Sequence, residues 1–266
     1  MATRGQLALL DSLRTAKGRR RTGLFLVEGL RLCEELAGST LETEIVVAAE
    51  DRIGRPRWNA LLERFRHRGV TVALAPESRI QRISETVHSQ GIIAAARWRE
   101  CSVGEIALSD GARIVALDRV SDPGNVGTII RTAAWFGVTA VMLGEGCADL
   151  LNPKTVRATM GGLFHLPVLR NLVLSVEAKA IKERWGCSVF VAGTGGEPAW
   201  WRWIGPRRSL LVLGSEAHGV ADEIRALAES ELAIPRLGWG ESLNVAIAAG
   251  VFLSALASGG RRPTAR

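Results

Sequence analysis

The chain has 266 residues, 47% apolar and 23% charged, which suits one large or two medium globular domains and excludes disordered and fibrous classes. Its 34 Lys and Arg against 27 Asp and Glu leave a formal charge of +7, an excess that is mostly arginine and suits a polyanionic partner through bidentate phosphate contacts. Four dispersed cysteines without a CxxC pair, and four scattered histidines, give a metal site nothing to build on; no apolar run approaches the roughly 20 residues of a bilayer span, so a reducing, cytoplasmic protein with no metal and no membrane segment is expected.

From the N-terminus, residues 5 to 16 (GQLALLDSLRTA) place Leu7, Leu10 and Leu13 on one side of a short helix. The following KGRRRTG reads as a loop carrying Lys17, Arg19, Arg20 and Arg21, either a solvated face or a set of phosphate contacts. Apolar runs predict strands at 25–27, 43–48, 70–74 and 91–96, with helical patterns at 28–36, 58–65 and from Pro76 through Ile83. This alternation makes residues 1–98 a small α/β domain, and the more polar 99–111 a linker to a second domain over 112–266.

In that second domain, strands are predicted at 113–118, 138–143, 165–169, 188–192, 210–213 and 231–234. Helical patterns lie at 126–136, 173–184 and 220–227, and Asn152-Pro153 opens another that runs through Val156 and Met160. Residues 193–208 read as an irregular segment whose Trp200, Trp201 and Trp203 either pack or stack on bases. Short continuous apolar strands separated by helices indicate a mostly parallel sheet covered on both faces, with its ligand crevice beyond the carboxyl ends of the strands. Three glycine-containing loops fall there, 121–125, 214–219 and 238–244, the last leading into an Ala-rich helix capped beside Ser242 and Asn244. None is a dinucleotide GxGxxG or a GxxxxGK[ST] phosphate loop, so nothing favours an oxidoreductase or a nucleoside triphosphatase.

DPGNVGTIIRTAAWFG, LVLGSEAHGV and IPRLGWGESLNVAIAAG, in this order, resemble the three motifs of the SpoU/TrmH branch of the SPOUT RNA methyltransferases. NPKTVRATMGGLFHLPV between the first two, and FLVEGLRLCEEL and QGIIAAA near the N-terminus, extend the resemblance over nearly the whole chain. It implies an α/β protein with a C-terminal SPOUT trefoil-knotted parallel-sheet methyltransferase domain and a small N-terminal ribosomal-protein-like substrate-binding domain. The activity implied is transfer of a methyl group from S-adenosylmethionine to a ribose 2'-hydroxyl of RNA, foremost 23S ribosomal RNA, by a homodimer. A tRNA 2'-O-methyltransferase, an antibiotic-resistance methyltransferase and a noncatalytic RNA-binding ribosome-assembly protein are the alternatives.

Matched onto the family motifs, the catalytic residues are Asn125, Arg131, Glu216, Ser242 and Asn244. Because arginine stays protonated at neutral pH, Arg131 is expected to orient a substrate phosphate or stabilise charge on the 2'-oxygen rather than act as a base. Glu216 would attract the cationic cofactor or position Asn125 and Arg131, while Ser242 meets a phosphate or helps cap the helix. For the cofactor, Thr194, Gly195, Leu213, Gly214, Gly219, Ile234, Pro235 and Leu243 are the expected contacts. Lys154 and Arg157 extend the RNA-binding set, and Trp239 is placed for stacking or subunit contact.

Overall fold

The computed structural model describes residues 1–106, 108–198, 203 and 208–257. Contacts divide the chain into two compact units, one made of residues 1–99 with 149–165, the other of the described part of 100–148 and 166–266.

The N-terminal unit opens with α1 (Arg4–Ser12), started by a capping box between Thr3 and Gln6. The basic stretch then forms α2 (Ala16–Thr22), not the expected loop: the Thr15 hydroxyl accepts from Gly18 N at its start, and Gly23, at φ +68°, ends it in the left-handed region. There follow β1 (Leu24–Glu28), α3 (Leu30–Gly38), β2 (Thr43–Ala49), α4 (Pro56–His67), β3 (Thr71–Ala75), α5 (Glu77–Ile83) and β4 (Ile92–Arg97). The sheet order is β1-β4-β2-β3, with β4 antiparallel to both neighbours and β2 parallel to β3. Leu10, Leu13, Leu26, Val47, Ile80 and Ile93 are fully or almost fully buried in the core on one side.

In the second unit β5 (Arg113–Asp118) leads into α6 (Pro123–Trp135) and β6 (Ala140–Gly144). The chain then departs to the N-terminal unit for residues 149–165, which hold α7 (Pro153–Ala158) and a short 3-10 turn at Gly162–Phe164. The expected boundaries at 98 and 112 made no provision for this excursion. It is fixed inside the N-terminal unit by polar contacts: Asp149 takes Arg19 at 2.6 Å, and Arg157 reaches Glu28 at 3.2 Å and Glu85 at 3.4 Å. Glu28 is only 5% exposed, and its carboxylate also accepts from the Ser84 and Thr86 hydroxyls. Burying a carboxylate among donors in this way is tolerable only while they all stay in place.

The chain returns with β7 (Val168–Leu172), α8 (Leu174–Trp185), β8 (Ser188–Glu197), β9 (Ser209–Gly214), α9 (Asp222–Arg225), β10 (Ser230–Leu232) and α10 (Val245–Ala257). The six strands form one parallel sheet in the order β10-β8-β9-β5-β6-β7. β8 extends five residues past the expected strand, because Gly196 lets β10 approach: a Cβ there would lie 2.5 Å from the Glu231 carbonyl oxygen. Trp203 is fully buried, its indole N–H donating to the Phe252 carbonyl at 3.0 Å, which makes it a packing residue and not a base platform. Trp200 and Trp201 lie outside the described residues.

Candidate active site

β8, the carboxyl end of β9 and the segment that follows β10 converge on one cavity of about 980 Å³, within the range of small-molecule sites. Thr194 in the second half of β8, Leu213 and Gly214 at the end of β9, then Gly219, Ile234, Pro235 and Leu243 line it as expected for a cofactor pocket. Gly195, its neighbour on β8, does not line it. Arg225, Arg236, Val245, Ala248 and Phe252 do line it and were not foreseen. The last three fall at i, i+3 and i+7 on α10, a spacing that marks one face of a helix and that was available as a signal.

Gly214 shapes the wall. A Cβ at this position would sit 2.1 Å from the Gly219 carbonyl carbon and 2.4 Å from Val220 N, so the strand exit and the following turn can only close on each other around a glycine. Ser215 and Gly219 form a bridge that completes the turn. Arg225 is anchored to Glu231 and to the Val220 carbonyl, so a cation is fixed in the lining. The cavity thus combines apolar side chains (Leu213, Ile234, Leu243), hydroxyls and exposed backbone groups of glycine turns, a donor set that fits S-adenosylmethionine.

Three of the expected catalytic residues, separated by up to 119 positions, meet at its edge. Asn244 Nδ2 donates to Glu216 Oε1 at 2.8 Å and to Asn125 Oδ1 at 3.1 Å, and Asn125 Nδ2 donates to the same glutamate oxygen at 3.4 Å. Val245 N, in the first turn of α10, also donates to Glu216 Oε1 at 3.2 Å, so the carboxylate sits at a helix N-terminus where negative charge is favoured. Asn244 Oδ1 accepts from Ala246 N at 3.0 Å, which makes Asn244 the cap of α10. Ser242 is exposed, two residues before that cap, and does not supply the cap itself. Asn125 lies inside the first turn of α6 rather than in a loop, because Asp122 caps the helix through Asn125 N at 2.8 Å and Pro123 takes the first helical position.

Arg131 is not brought to this cluster. It lies further along α6, exposed, with no carboxylate partner among the described residues and outside the cavity lining. α6 packs against α10, and this pair leaves Trp135 84% and Ile247 58% exposed. The loop from Pro235 to Leu243 is similarly open, with Leu237 and Trp239 at full exposure and the Arg236 guanidinium donating across it to the Gly240 carbonyl at 3.0 Å.

The basic positions divide. Lys17, Arg20, Arg21 and Lys154 are exposed, whereas Arg19 is 5% exposed, with its guanidinium spent on the Leu13 and Arg14 carbonyls and on Asp149. Arg19 is therefore corrected from a phosphate contact to a structural tie, and Arg157 has the corresponding place between Glu28 and Glu85. Among the described residues no group of His, Cys, Asp or Glu is arranged to hold a metal ion, and no helix is long and apolar enough to cross a membrane.

Residues 112–254 match the SpoU rRNA methylase family, and residues 6–94 match the MRM3-like substrate-binding domain. The chain is 35% identical over 244 residues to the 23S rRNA (guanosine(2553)-2'-O)-methyltransferase RlmP of Bacillus subtilis, which covers 91% of each protein. Among solved structures, a TrmH-family protein from Porphyromonas gingivalis superposes with a TM-score of 0.79 at 34% identity, covering 96% of this chain and 98% of that one. An AdoMet-bound rRNA methyltransferase from Sinorhizobium meliloti superposes with a TM-score of 0.83 at 28% identity, covering 97% and 96%.

Proposed function

The chain belongs to the SpoU rRNA methylase family, and from that premise we propose that it transfers a methyl group from S-adenosylmethionine to a ribose 2'-hydroxyl of 23S ribosomal RNA. Its fold is the trefoil-knotted parallel-sheet fold of the SPOUT methyltransferases, joined to an N-terminal substrate-binding domain. The observation that carries the reading is the joining of Asn125, Glu216 and Asn244, one from each sequence motif, at the mouth of a cavity with a fitting donor set.

When bound, S-adenosylmethionine supplies the methyl group already activated on a sulfonium, so the protein's task is alignment rather than leaving-group chemistry. Leu213, Ile234 and Leu243 would present apolar surface to the adenine and exclude water, while Thr194 and the backbone at Gly214 and Gly219 would offer hydrogen bonds. Glu216 is a positioning residue: its Oε1 is occupied by Asn244, Val245 and Asn125, and it holds the two amides against the start of α10. Asn125 and Asn244 place the acceptor ribose, and the free Ser242 hydroxyl contacts its phosphate. Arg131, supplied by a second copy, stabilises the negative charge that develops on the 2'-oxygen as the C–O bond forms and the proton passes to solvent water.

The site is completed by a second copy. Arg131 shares the open face of α6 with Thr128 and Trp135, and α10, which packs on α6, exposes Ile247, an arrangement that supports a homodimer in which these residues are covered. Cys33, Cys101, Cys147 and Cys187 are all outside disulfides, which suits a cytoplasmic setting, where ribosomal RNA is found. The decisive experiment incubates the purified protein with tritiated S-adenosylmethionine and total RNA lacking the modification, then maps the product by mass spectrometry. Label on a ribose of 23S RNA is expected; label on a base, or on tRNA alone, overturns the assignment.

A further inference from the structure

A cleft of about 560 Å³ opens in the N-terminal unit where α1 and α5 meet the end of β3. Leu7, Leu74, Pro76 and Ile83 give it apolar surface, and the exposed Arg4, Arg79 and Arg82 bring three guanidinium groups to it. None of the three has a carboxylate within ion-pair distance among the described residues, whereas Arg52, Arg57 and Arg97 of the same unit are each matched to a glutamate. The one acidic side chain of the lining, Asp11, is taken by Arg14 at 3.2 Å, and Arg14 also donates to the Arg82 carbonyl at 3.2 Å. Arg14 leads directly into α2, which packs on α1 and exposes Lys17, Arg20 and Arg21.

Apolar surface beside three unmatched guanidiniums complements one chemistry well: a nucleobase set against aliphatic side chains, with phosphates on either side held by arginine forks. We propose that this cleft is an RNA-binding site that holds an unpaired nucleotide and its flanking phosphates, continuous with the cations of α2. It rests on the reading of RNA as the substrate. Nothing in the motifs led to it, because Arg79 and Arg82 share α5 whereas Arg4, 75 positions earlier, joins them only through the packing of α1 on α5.

The test is equilibrium binding of the full chain to an in vitro 23S rRNA transcript across a salt series, together with KM and kcat for methyl transfer to the same RNA. Arg4→Gln/Arg79→Gln/Arg82→Gln is compared with a charge-matched triple at α4, Arg55→Gln/Arg64→Gln/Arg66→Gln. Loss of three phosphate contacts should lower the slope of log K against log salt by roughly 2 and weaken binding about tenfold at 0.15 M salt, with KM rising in proportion. The α4 triple should leave both quantities close to wild type. An unchanged slope in the cleft variant, or an equal drop in the α4 variant, overturns the site; Arg79→Gln alone, expected to give about a third of the slope change, serves if the triple fails to fold. Wild-type protein that labels no RNA overturns the proposed function, whereas normal labelling with an unchanged cleft-variant slope overturns the cleft alone.

Discussion

Asn244 has two separable duties, because its Oδ1 caps α10 while its Nδ2 holds Asn125 and Glu216. Asn244→Ser keeps a good capping oxygen but is too short to bridge both partners, so melting should change little while turnover falls by about 10². Asn244→Ala should lose the same turnover and in addition about 1 kcal/mol of stability. Parallel loss of stability and turnover in the Ser variant would reduce Asn244 to a cap. At Gly214 a single methyl group would collide with backbone, so Gly214→Ala should abolish cofactor binding measured by calorimetry, even where the fold survives. The desolvated thiols give a pH signature. Desolvation pushes the Cys147 thiol up to about 11 and the Cys187 thiol up to about 12, and raises Cys33 further. Unfolded thiols ionise near 8.5, so the native state holds these protons while the unfolded chain releases them. Below that pH the groups leave stability unchanged, and above it they destabilise the fold progressively up to the native values. Chemical denaturation at pH 7.5 and 10 should show this fall, and a Cys33→Ala/Cys187→Ala variant should show less of it.

At the scale of elements, α7 is held to β1 by Arg157 against Glu28. Removing the guanidinium leaves a buried carboxylate facing one fewer donor, so Arg157→Ala should cost ~3 kcal/mol, with much of this recovered by adding Glu28→Gln. Equal destabilisation in the single and double variants would show that packing, not charge, is what Arg157 supplies. Neither residue carried that message in sequence: Arg157 read as a substrate contact because its partner lies 129 positions away. Local signals did better. The strand at 113–118 was legible to the residue from its apolar run, and Asn152-Pro153 from its capping chemistry. The same logic applied to Asp122-Pro123 would have placed Asn125 in a helix, and Thr15 with Gly23 would have turned the basic loop into α2. The meeting of Asn125, Glu216 and Asn244 was readable only through the family motifs, since periodicity says nothing about which strand exits are neighbours.

For the whole molecule, the exposed faces of α6 and α10 carry a prediction about assembly. Trp135→Glu/Ile247→Glu should shift the sedimentation coefficient to that of a monomer and lose methyl transfer, while the single-chain fold is retained by circular dichroism. A monomeric wild type with full turnover would remove the second copy from the site. The excursion of residues 149–165 has a different kind of consequence, one of timing. During synthesis, the first 99 residues emerge with Arg19 lacking Asp149 and Glu28 lacking Arg157, and those partners follow only after β5 and β6 have been made. The first unit to leave the ribosome therefore cannot be finished until part of the second has been made. A nascent chain arrested before residue 149 should be cleaved readily by protease in its N-terminal half, and one extended far enough to expose residue 165 should resist.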